Sequence, residues 1–572
     1  MKKLCLILSL LTSYIASAQV TQVSDAMNPY DFIANVNGVL LFFGADKSTP
    51  SNYELWRSDG TTAGTYLVKD INGNSDGSIL SNGEFGESYT DRDFVVFNNE
   101  LYFIATDGPH GLEVWKSDGT SDGTVMLKDI YPGANGYLTP EFNFPYFTEL
   151  NDKLYFAAND GVHGFELWET DGTTEGTQMT VDISTDNIYG SNPEHLIAFD
   201  GKLYFAARDD VDGYEIFSSD GTAAGTSVVK DIVSGINGSM NNGFASSIDP
   251  LFTVSGDYLY FVARVDATMP VLKKLHRTDG TSAGTILLNN DLYDIANLCD
   301  VNSTLFCYAL DGIFDHSTLW KSDGTETGTE IVNTSTVYVS NIGHAFYSFN
   351  DLLYFSGFTV DFTEYGLGKS DGTAAGTTMV HGFESVGSIP ETYNYNAEPG
   401  SNYFFYHALT KISDFEMSVR LVQTNGTDLG TKVFSGAMPF RSTAFLDGDI
   451  YFGGIDSTAE TVWGLYKITP EELTIPVLNA QATEVLNVFP NPAKDIITIQ
   501  LPENISEIAV CDMLGNIVTK EKNNTNSLTI DVSDWTAGTY TIFGYQNANL
   551  YRCNFEVIEE QVNISNVSFI NT

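Results

Sequence analysis

Two short loops place a histidine three residues after an aspartate, a spacing at which the two side chains could share a proton or a metal ion. The loops are Asp107-Gly108-Pro109-His110-Gly111 and Asp160-Gly161-Val162-His163-Gly164. Both occupy the same slot in adjacent repeats of the chain, and the next repeat has Asp212 at the histidine position. Because a residue that recurs in this way is more typical of a turn than of a catalytic site, we predict no metal-binding and no catalytic residues here.

A group of basic residues is the stronger candidate for ligand binding. The 572-residue chain has 74 acidic and 27 basic residues, a formal net charge of −47, so clustered cations are unusual. Such a cluster could bind an anionic glycan, and arginines in particular suit carboxylate recognition. Pairing with neighbouring acids is the alternative. The candidate ligand-binding residues are Arg208, Arg264, Lys273, Lys274, His276 and Arg277.

Other chemistry is not indicated by the sequence. It contains no nucleophile elbow, phosphate-binding loop, zinc-binding helix motif or EF-hand calcium loop. The acidic excess argues against nucleic acid as a partner, because phosphates would be repelled. We predict no cofactor, with calcium held weakly by the acidic surface as the alternative.

The elements that carry these residues are set by a repeated phrase, Asp-Gly-Thr-x-x-Gly-Thr. It occurs seven times without a mismatch, and once more in weakened form from Asn425 to Thr431. Successive copies lie 44 to 59 residues apart, which suits one four-stranded blade of a β-propeller. The exact copies start at Asp59, Asp118, Asp171, Asp220, Asp279, Asp323 and Asp371.

Each repeat predicts four strands joined as a meander. β-Branched and aromatic residues alternate within short runs, and Gly, Asp or Asn separates the runs. The phrase then forms the turn between the third and fourth strands. We expect its aspartate to accept backbone hydrogen bonds, its glycines to adopt positive φ angles, and its threonine to lead back into a strand.

The two ends of the repeat region predict how the ring closes. A ninth strand pair lies at 449–452 and 462–468 without a phrase after it, and Val20 to Asp25 resembles a lone fourth strand. Together these fragments would complete one blade and remove exposed sheet edges. We therefore predict an all-β protein with a propeller of nine blades, or of eight if one degenerate unit does not form.

The phrase and its preceding strand resemble a known repeat family. The segment from Tyr53 to Thr65 is similar to the ELWxxDGTxxGT repeat family of secreted bacterial proteins, and Leu112 to Thr124 and Phe165 to Thr177 follow closely. The resemblance covers about residues 20–470 and implies a propeller without an agreed catalytic activity. In later copies the glutamate of the motif is replaced, by Lys274, Thr318, Gly366 and Arg420.

A second, small β domain follows the repeats. The runs Val488 to Ile499, Ile508 to Val518, Leu528 to Val532 and Ala537 to Ile542 resemble, in order, the type A C-terminal sorting domain of the type IX secretion system of Bacteroidetes. The resemblance implies a β-sandwich, the type IX machinery as partner, and transport across the outer membrane to a secreted or cell-surface location. Residues after Ile558 depart from the family pattern.

The termini and cysteines complete the organisation. Lys2, Lys3, an apolar run and Ala16-Ser17-Ala18 predict a secretory signal peptide, and no other segment suits a transmembrane helix. The expected boundaries are signal peptide 1–18, propeller 19–469, linker 470–485, sorting domain 486–558 and tail 559–572. Cys299 with Cys307, and Cys511 with Cys553, could each remain reduced or form a disulfide.

Three hypotheses about function follow. The first is a non-catalytic exported propeller whose loops bind an extracellular glycan or protein, for example in adhesion. The alternative is a secreted polysaccharide-active enzyme, a glycoside hydrolase or lyase that works in the propeller channel, and a carboxylate pair or metal cluster outside the repeat pattern would favour it. A structural role in the surface layer would instead require self-association.

Overall fold

A computed structural model of the chain describes most of residues 20–557. The signal-peptide prediction and the tail 559–572 therefore lie outside the described residues, as does most of the predicted linker. The internal gaps are 74–76, 80–93, 135–144, 236–237, 241–251, 266–272, 312–317, 333–336, 341–345, 360–363, 385–391, 414–415, 428–429, 435–436, 457–461, 471–483, 486, 491–492, 501–506, 512–516, 523–526, 534, 536–537 and 547–548.

The repeat region folds into consecutive antiparallel sheets, which we number as blades in chain order. Blade 1 comprises Met27–Val36, Val39–Asp46, Tyr53–Ser58 and Tyr66–Lys69; blade 2 Phe94–Phe97, Glu100–Thr106, Leu112–Ser117 and Val125–Met126. Blade 3 comprises Thr148–Leu150, Lys153–Asn159, Phe165–Thr170 and Gln178–Val181; blade 4 Glu194–Phe199, Lys202–Asp209, Gly213–Ser219 and Ser227–Lys230.

The second half of the ring continues the same order. Blade 5 comprises Phe252–Ser255, Tyr258–Arg264, Lys273–Thr278 and Ile286–Leu287; blade 6 Leu292–Val301, Thr304–Asp311, Thr318–Ser322 and Glu330–Ile331. Blade 7 has five strands, Val337–Val339, Tyr347–Phe349, Leu352–Thr359, Glu364–Ser370 and Thr378–Glu384. Blade 8 comprises Thr392–Asn396, Phe404–Ser413, Glu416–Thr424 and Thr431–Val433.

Blade 9 closes the ring with strands from both ends of the repeat region. Ala437–Leu446, Asp449–Asp456 and Trp463–Ile468 form its first three strands, and Thr21–Ser24 adds the fourth at the outer edge. In this last pairing Thr21 lies opposite Lys467. The described residues thus form nine blades, and the predicted β-propeller with its two-ended closing blade is confirmed.

Apolar clusters between consecutive blades hold the ring together. Trp56 of blade 1 and Leu465 of blade 9 share one cluster with Val23 of the closing strand. Phe405 of blade 8 and Phe452 of blade 9 share another. Comparable clusters join each pair of neighbours in between, so every blade buries both of its faces against other blades.

The meander distributes its connections over two faces of the ring. Chain direction reverses at each strand, so the loops between second and third strands lie on the same face as the connections from one blade to the next. We call this the loop face. The Asp-Gly-Thr turns, between third and fourth strands, lie on the opposite face, which we call the turn face.

The C-terminal unit is a sandwich of two sheets, and the main boundary between the two compact units lies between Glu471 and Glu472. One sheet comprises Glu484–Val485, Asn549–Val557, Gly538–Gln546, Glu507–Cys511 and Ile517–Lys522; the other Asn487–Phe489, Ile496–Gln500 and Ser527–Asp531. Ile497, Val510 and Ile542 belong to the apolar core that the two sheets enclose.

The backbone register shows whether the cysteine pairs considered above could form disulfides. Cys299 pairs with Phe306 rather than with Cys307, and both thiols are free. Burial raises the pKa of Cys307 to about 12, which makes it an unreactive core residue. Cys511 and Cys553 lie on the two strands that flank Gly538–Gln546, so their Cα atoms are two strand spacings, about 9.6 Å, apart. That separation is too long for a disulfide.

Helical structure is minimal in the described part of the chain, where one 3₁₀ turn, Ala223–Gly225, interrupts the strands. None of the helices that the structure describes is long and apolar enough to cross a membrane.

The closing strand gives a test of the ring. Val23 is buried between blades 9 and 1, whereas Thr21 on the same strand is exposed. We expect Val23→Asp to lower the free energy of unfolding by about 3 kcal/mol, because it buries a charge and removes apolar contact. Thr21→Asp is the matched control. Urea unfolding followed by tryptophan fluorescence checks this, and equal midpoints for the two variants would contradict the closure.

Candidate binding face on blades 3 and 4

The repeated turn is held by its own side chains. In the first copy, Asp59 Oδ1 accepts hydrogen bonds from the backbone N–H of Thr61 at 3.0 Å and from its hydroxyl at 2.7 Å. The Thr61 hydroxyl oxygen in turn accepts from the backbone N–H of Gly64 at 3.0 Å. Thr65 bonds both the Thr61 carbonyl and the Ser58 hydroxyl, each at 2.7 Å. These bonds recur in all eight copies, so the predicted acceptor role of the aspartate is confirmed.

The two glycines of the phrase have different reasons for being glycine. Gly60 has a φ of +86°, and a Cβ there would lie 2.5 Å from the hydroxyl oxygen of Tyr451 in blade 9, the neighbour of blade 1 in the ring. Gly64 does not have a positive φ; a Cβ there would overlap the carboxylate of Asp59. The prediction that both glycines supply positive φ angles is therefore right for the first and wrong for the second.

The same turns also connect neighbouring blades. Lys69 of blade 1 donates to the carbonyl of Thr124, at 2.7 Å, and Arg57 donates to the carbonyl of Gly119, at 3.1 Å; both acceptors belong to the turn of blade 2. Thr62, in the turn of blade 1, donates to the Val23 carbonyl of the closing strand. The turn face is thus occupied by structural contacts between blades.

On the loop face, buried glutamates organise the connections between blades. Glu166 in the third strand of blade 3 accepts from the backbone N–H groups of Ile183 and Ser191, at 3.0 and 2.9 Å, and from the Ser191 hydroxyl at 2.6 Å. Glu54, Glu113 and Glu215 hold the corresponding connections of blades 1, 2 and 4. These glutamates therefore bond the backbone of the connections that lead from one blade to the next.

Burial changes the acidity of these carboxyls. Loss of solvent raises the pKa of Glu113 to about 8 and that of Glu166 and Glu215 to about 7, against the lowering effect of their hydrogen bonds. In blade 5 the position is Lys274, whose ammonium instead donates to the Asn290 carbonyl at 2.6 Å.

The other basic residues proposed from the blade 5 sequence face different neighbours. Arg277 donates to the Gly324 carbonyl of the next turn, at 2.7 Å, and its guanidinium lies 3.9 Å from the ring centroid of Tyr258. His276 stacks on Phe261, and burial lowers its pKa to about 4. These side chains contribute to packing between and within blades.

Arg208 and Arg264 occupy equivalent positions in blades 4 and 5, each against the connection that leads into its own blade. Arg208 donates to the Gly190 carbonyl, and Arg264 to the Gly238 carbonyl. Lys273 lies directly opposite Arg264 on the neighbouring strand. Burial, reinforced by the Arg264 charge, lowers the pKa of Lys273.

The two aspartate–histidine loops form closed turns. Asp160 Oδ1 accepts from the backbone N–H of His163 at 2.9 Å, and Asp160 Oδ2 lies 2.7 Å from its Nδ1. Asp107 and His110 repeat both contacts. Across the described residues no group of three or more metal-ligating side chains was found.

Four large apolar side chains stand out on the loop face of blades 3 and 4. Val162 is 59 % exposed, Ile188 74 %, Tyr189 65 % and Val211 73 %, all above the other exposed large apolar residues that the structure describes. They lie in three loops: the hairpin loop of blade 3, the connection to blade 4, and the hairpin loop of blade 4. We call these four residues the apolar patch.

Side-chain bonds join the loops that carry the apolar patch. Arg208 donates through Nε to the Gly190 carbonyl at 2.8 Å, pairs with Asp186, and lies over the Tyr189 ring at 5.6 Å. Asp210 accepts from the Ser184 hydroxyl at 3.0 Å. The connection is thereby tied to the second strand and the hairpin loop of blade 4.

Backbone contact ties the connection to blade 3 as well. Phe165 donates its N–H to the Tyr189 carbonyl at 3.2 Å, and its own carbonyl accepts from Asn192 at 2.9 Å. A Cβ on Gly164 or Gly190 would collide with the facing backbone. Glycine is therefore required at both positions. The connection is hydrogen-bonded to Phe165, directly after the blade 3 hairpin loop, and to the hairpin loop of blade 4, and we call the three loops together the platform.

Sequence reasoning did not find the apolar patch. Its residues sit in loops outside the repeat pattern, and Arg208 is the one sequence-predicted site residue within its platform. The Gly-Ser pairs at 77–78, 190–191 and 238–239, each of which begins 23 or 24 residues after a motif glutamate, are a signal that could have located the platform.

Comparison with known proteins identifies the C-terminal unit. Residues 487–551 match the family model of the secretion system C-terminal sorting domain. The chain carries a type IX sorting domain. It is therefore an exported protein that interacts with the type IX machinery, located outside the outer membrane or at the cell surface. No curated protein matches the chain.

Several solved structures are similar at low identity. One is PorZ, described as an essential surface component of the type IX secretion system of Porphyromonas gingivalis, at 13 % identity and TM-score 0.29, over 93 % of this chain and 75 % of PorZ. The propeller domain of the Trilobed protease from Pyrococcus furiosus has 10 % identity and TM-score 0.31, over 73 % of this chain and 97 % of the domain.

A puromycin-hydrolyzing peptidase of Mycobacterium tuberculosis has 9 % identity and TM-score 0.35; the match covers 64 % of this chain and 58 % of the peptidase. At such values none of these likenesses carries an argument about activity or ligand.

The hydrogen bonds of the turn predict which substitutions of its aspartate destabilise the protein more. Asn425 makes the same bonds to Thr427 that Asp171 makes to Thr173. We expect Asp171→Ala to lower the free energy of unfolding by about 1–2 kcal/mol, and Asp171→Asn by clearly less. Thermal unfolding of the two variants measures this. An asparagine variant as unstable as the alanine variant would contradict the role of the side-chain oxygen.

The buried glutamates predict a pH dependence. Because the folded state raises the pKa of Glu166 from 4.5 to about 7, its contribution to stability is present below pH 4.5 and is lost as the pH rises through 7. Raising the pH from 5 to 8 should therefore destabilise the wild type by about 2–3 kcal/mol more than Glu166→Gln, which cannot ionise. Urea unfolding at both pH values tests this, with Glu149→Gln, an exposed site, as control. Parallel curves for wild type and Glu166→Gln would contradict it.

Proposed function

We propose that this protein is a non-catalytic, exported binding protein whose propeller presents its loop face to an extracellular ligand, as in adhesion. The observation that carries the proposal is the apolar patch. Large exposed apolar side chains that lie on neighbouring loops with a polar rim are typical of interaction sites, because leaving them in water is unfavourable. The type IX sorting domain brings this face to the outside of the cell.

As part of this proposal, we assign residues 20–470 to the ELWxxDGTxxGT repeat family. Its support is the hydrogen-bonded turn, which explains why each position of the phrase is retained in this chain. The turn face is engaged between blades, so the repeats supply a scaffold. Binding residues are then expected where the loops differ between blades.

The arrangement of basic residues also favours binding by the loop face. Lys274, His276 and Arg277 make hydrogen bonds to backbone carbonyls or stack within the propeller. Among the six candidates, Arg208 has its guanidinium in the platform of the apolar patch. We therefore assign ligand contact to the platform and a packing role to the basic residues of blade 5.

Binding assays with the full exported chain test the function. We expect binding to at least one partner among glycan arrays, immobilised extracellular proteins and bacterial cells, and no release of sugar ends from polysaccharides. The double variant Ile188→Ser/Tyr189→Ser should weaken binding at least tenfold. Catalytic turnover of a polysaccharide would favour the enzyme alternative, and absence of any signal in all assays would defeat both hypotheses.

A further inference from the structure

The chemistry of the apolar patch and its rim says what kind of ligand fits it. Three of the four exposed side chains are β-branched aliphatics, Val162, Ile188 and Val211. Such aliphatic side chains can bury apolar area against another polypeptide, but they offer no aromatic face on which a sugar ring could stack. The ring of Tyr189 already has the Arg208 guanidinium over it. The side chains therefore favour a protein segment over a glycan.

The platform is preorganised for such contact. Its loops are joined through Phe165, Gly190 and Asn192 on the blade 3 side and through Arg208 and Asp210 on the blade 4 side. A platform fixed before binding loses little conformational entropy when a partner arrives. The patch can thus contribute most of its apolar area to affinity.

The rim of the patch is strongly acidic. In residues 160–164, 182–190 and 208–213 there are six aspartates, one arginine and one histidine. Hydrogen bonds lower the pKa of Asp186 and Asp210, so both are ionised at neutral pH. The one arginine is itself paired with Asp186. A partner that covers the patch must therefore bring positive charge to this rim.

The same charge argues against a second copy of this chain as the occupant. The protein has a formal net charge of −47, so two copies brought together at acidic surfaces would repel each other. Charge complementarity is instead satisfied by a polypeptide segment with apolar residues at its centre and lysine or arginine on both sides.

We propose that the apolar patch of blades 3 and 4 is a docking site for a protein segment with an apolar centre and basic flanks. This inference rests on the proposed binding function and names the class of its partner. Apolar contact supplies affinity, and the aspartate rim selects basic partners and accelerates association.

A phage-displayed random peptide library, panned on the immobilised full chain, tests the proposal. The selected peptides should be apolar at the centre and enriched in lysine and arginine. Their affinity should fall at least tenfold in Ile188→Ser/Tyr189→Ser, and about tenfold when NaCl is raised from roughly 0.05 to 0.5 M. Tyr66→Ser/Leu67→Ser, which removes a less exposed aromatic–aliphatic pair from the outer strand of blade 1, should bind like the wild type.

The other outcomes overturn the proposal in distinguishable ways. Acidic or neutral peptides, or peptides that bind Ile188→Ser/Tyr189→Ser as well as the wild type, would overturn the partner class. So would glycan binding that depends on Ile188 and Tyr189, although the proposed function would then stand. Dimerisation in analytical ultracentrifugation that is lost in the same variant would make a second copy the occupant. No binding of any probe would overturn both this inference and the proposed function.

Discussion

The structure depends first on the hydrogen bonds by which one aspartate closes the turn between the third and fourth strands of a blade. Asp59 Oδ1 fixes Thr61 twice, Thr61 fixes Gly64, and Thr65 reaches back to Thr61 and Ser58. A turn closed in this way has one conformation, which lets the preceding blade pack against it. Lys69 and Arg57 of blade 1 contact the turn of blade 2 for this reason. Repetition of one local solution therefore builds the ring.

The two faces of the ring have different structural roles. On the turn face, the turns of the seven exact repeat copies pack against neighbouring blades, and a change of residue there would disturb the packing. On the loop face, buried carboxyls such as Glu166 gather the backbone donors of a connection and leave its outer side chains free to vary. In the connection from blade 3 to blade 4 these side chains include Ile188 and Tyr189, and Val162 and Val211 lie in the two hairpin loops beside it. The buried polar network thus holds the loops that carry the exposed apolar surface. The type IX sorting domain directs the protein that carries this surface out of the cell.

Strand order and ring closure could be predicted from the sequence because they follow from local pattern. The strand Thr21–Ser24 was recognisable as a displaced fourth strand, and it pairs as expected. The reason for Gly64 was not predictable, since it depends on the position of the Asp59 carboxylate. The Ser or Thr before each aspartate, such as Ser58, was missed although it recurs. The roles of the blade 5 cations and the exposure of Ile188 depend on which loops meet in space, which no local pattern encodes.

The central claim is that the loops under the apolar patch form a fixed platform, and amide hydrogen exchange of the full chain tests it most directly. The backbone N–H groups of Ile183, Ser191 and Asn192 donate to Glu166 or to Phe165. Peptides covering 182–193 should therefore exchange as slowly as the strand Phe165–Thr170. Exchange of this segment within seconds, like that of unbonded surface loops, would contradict the platform and with it the proposed binding face.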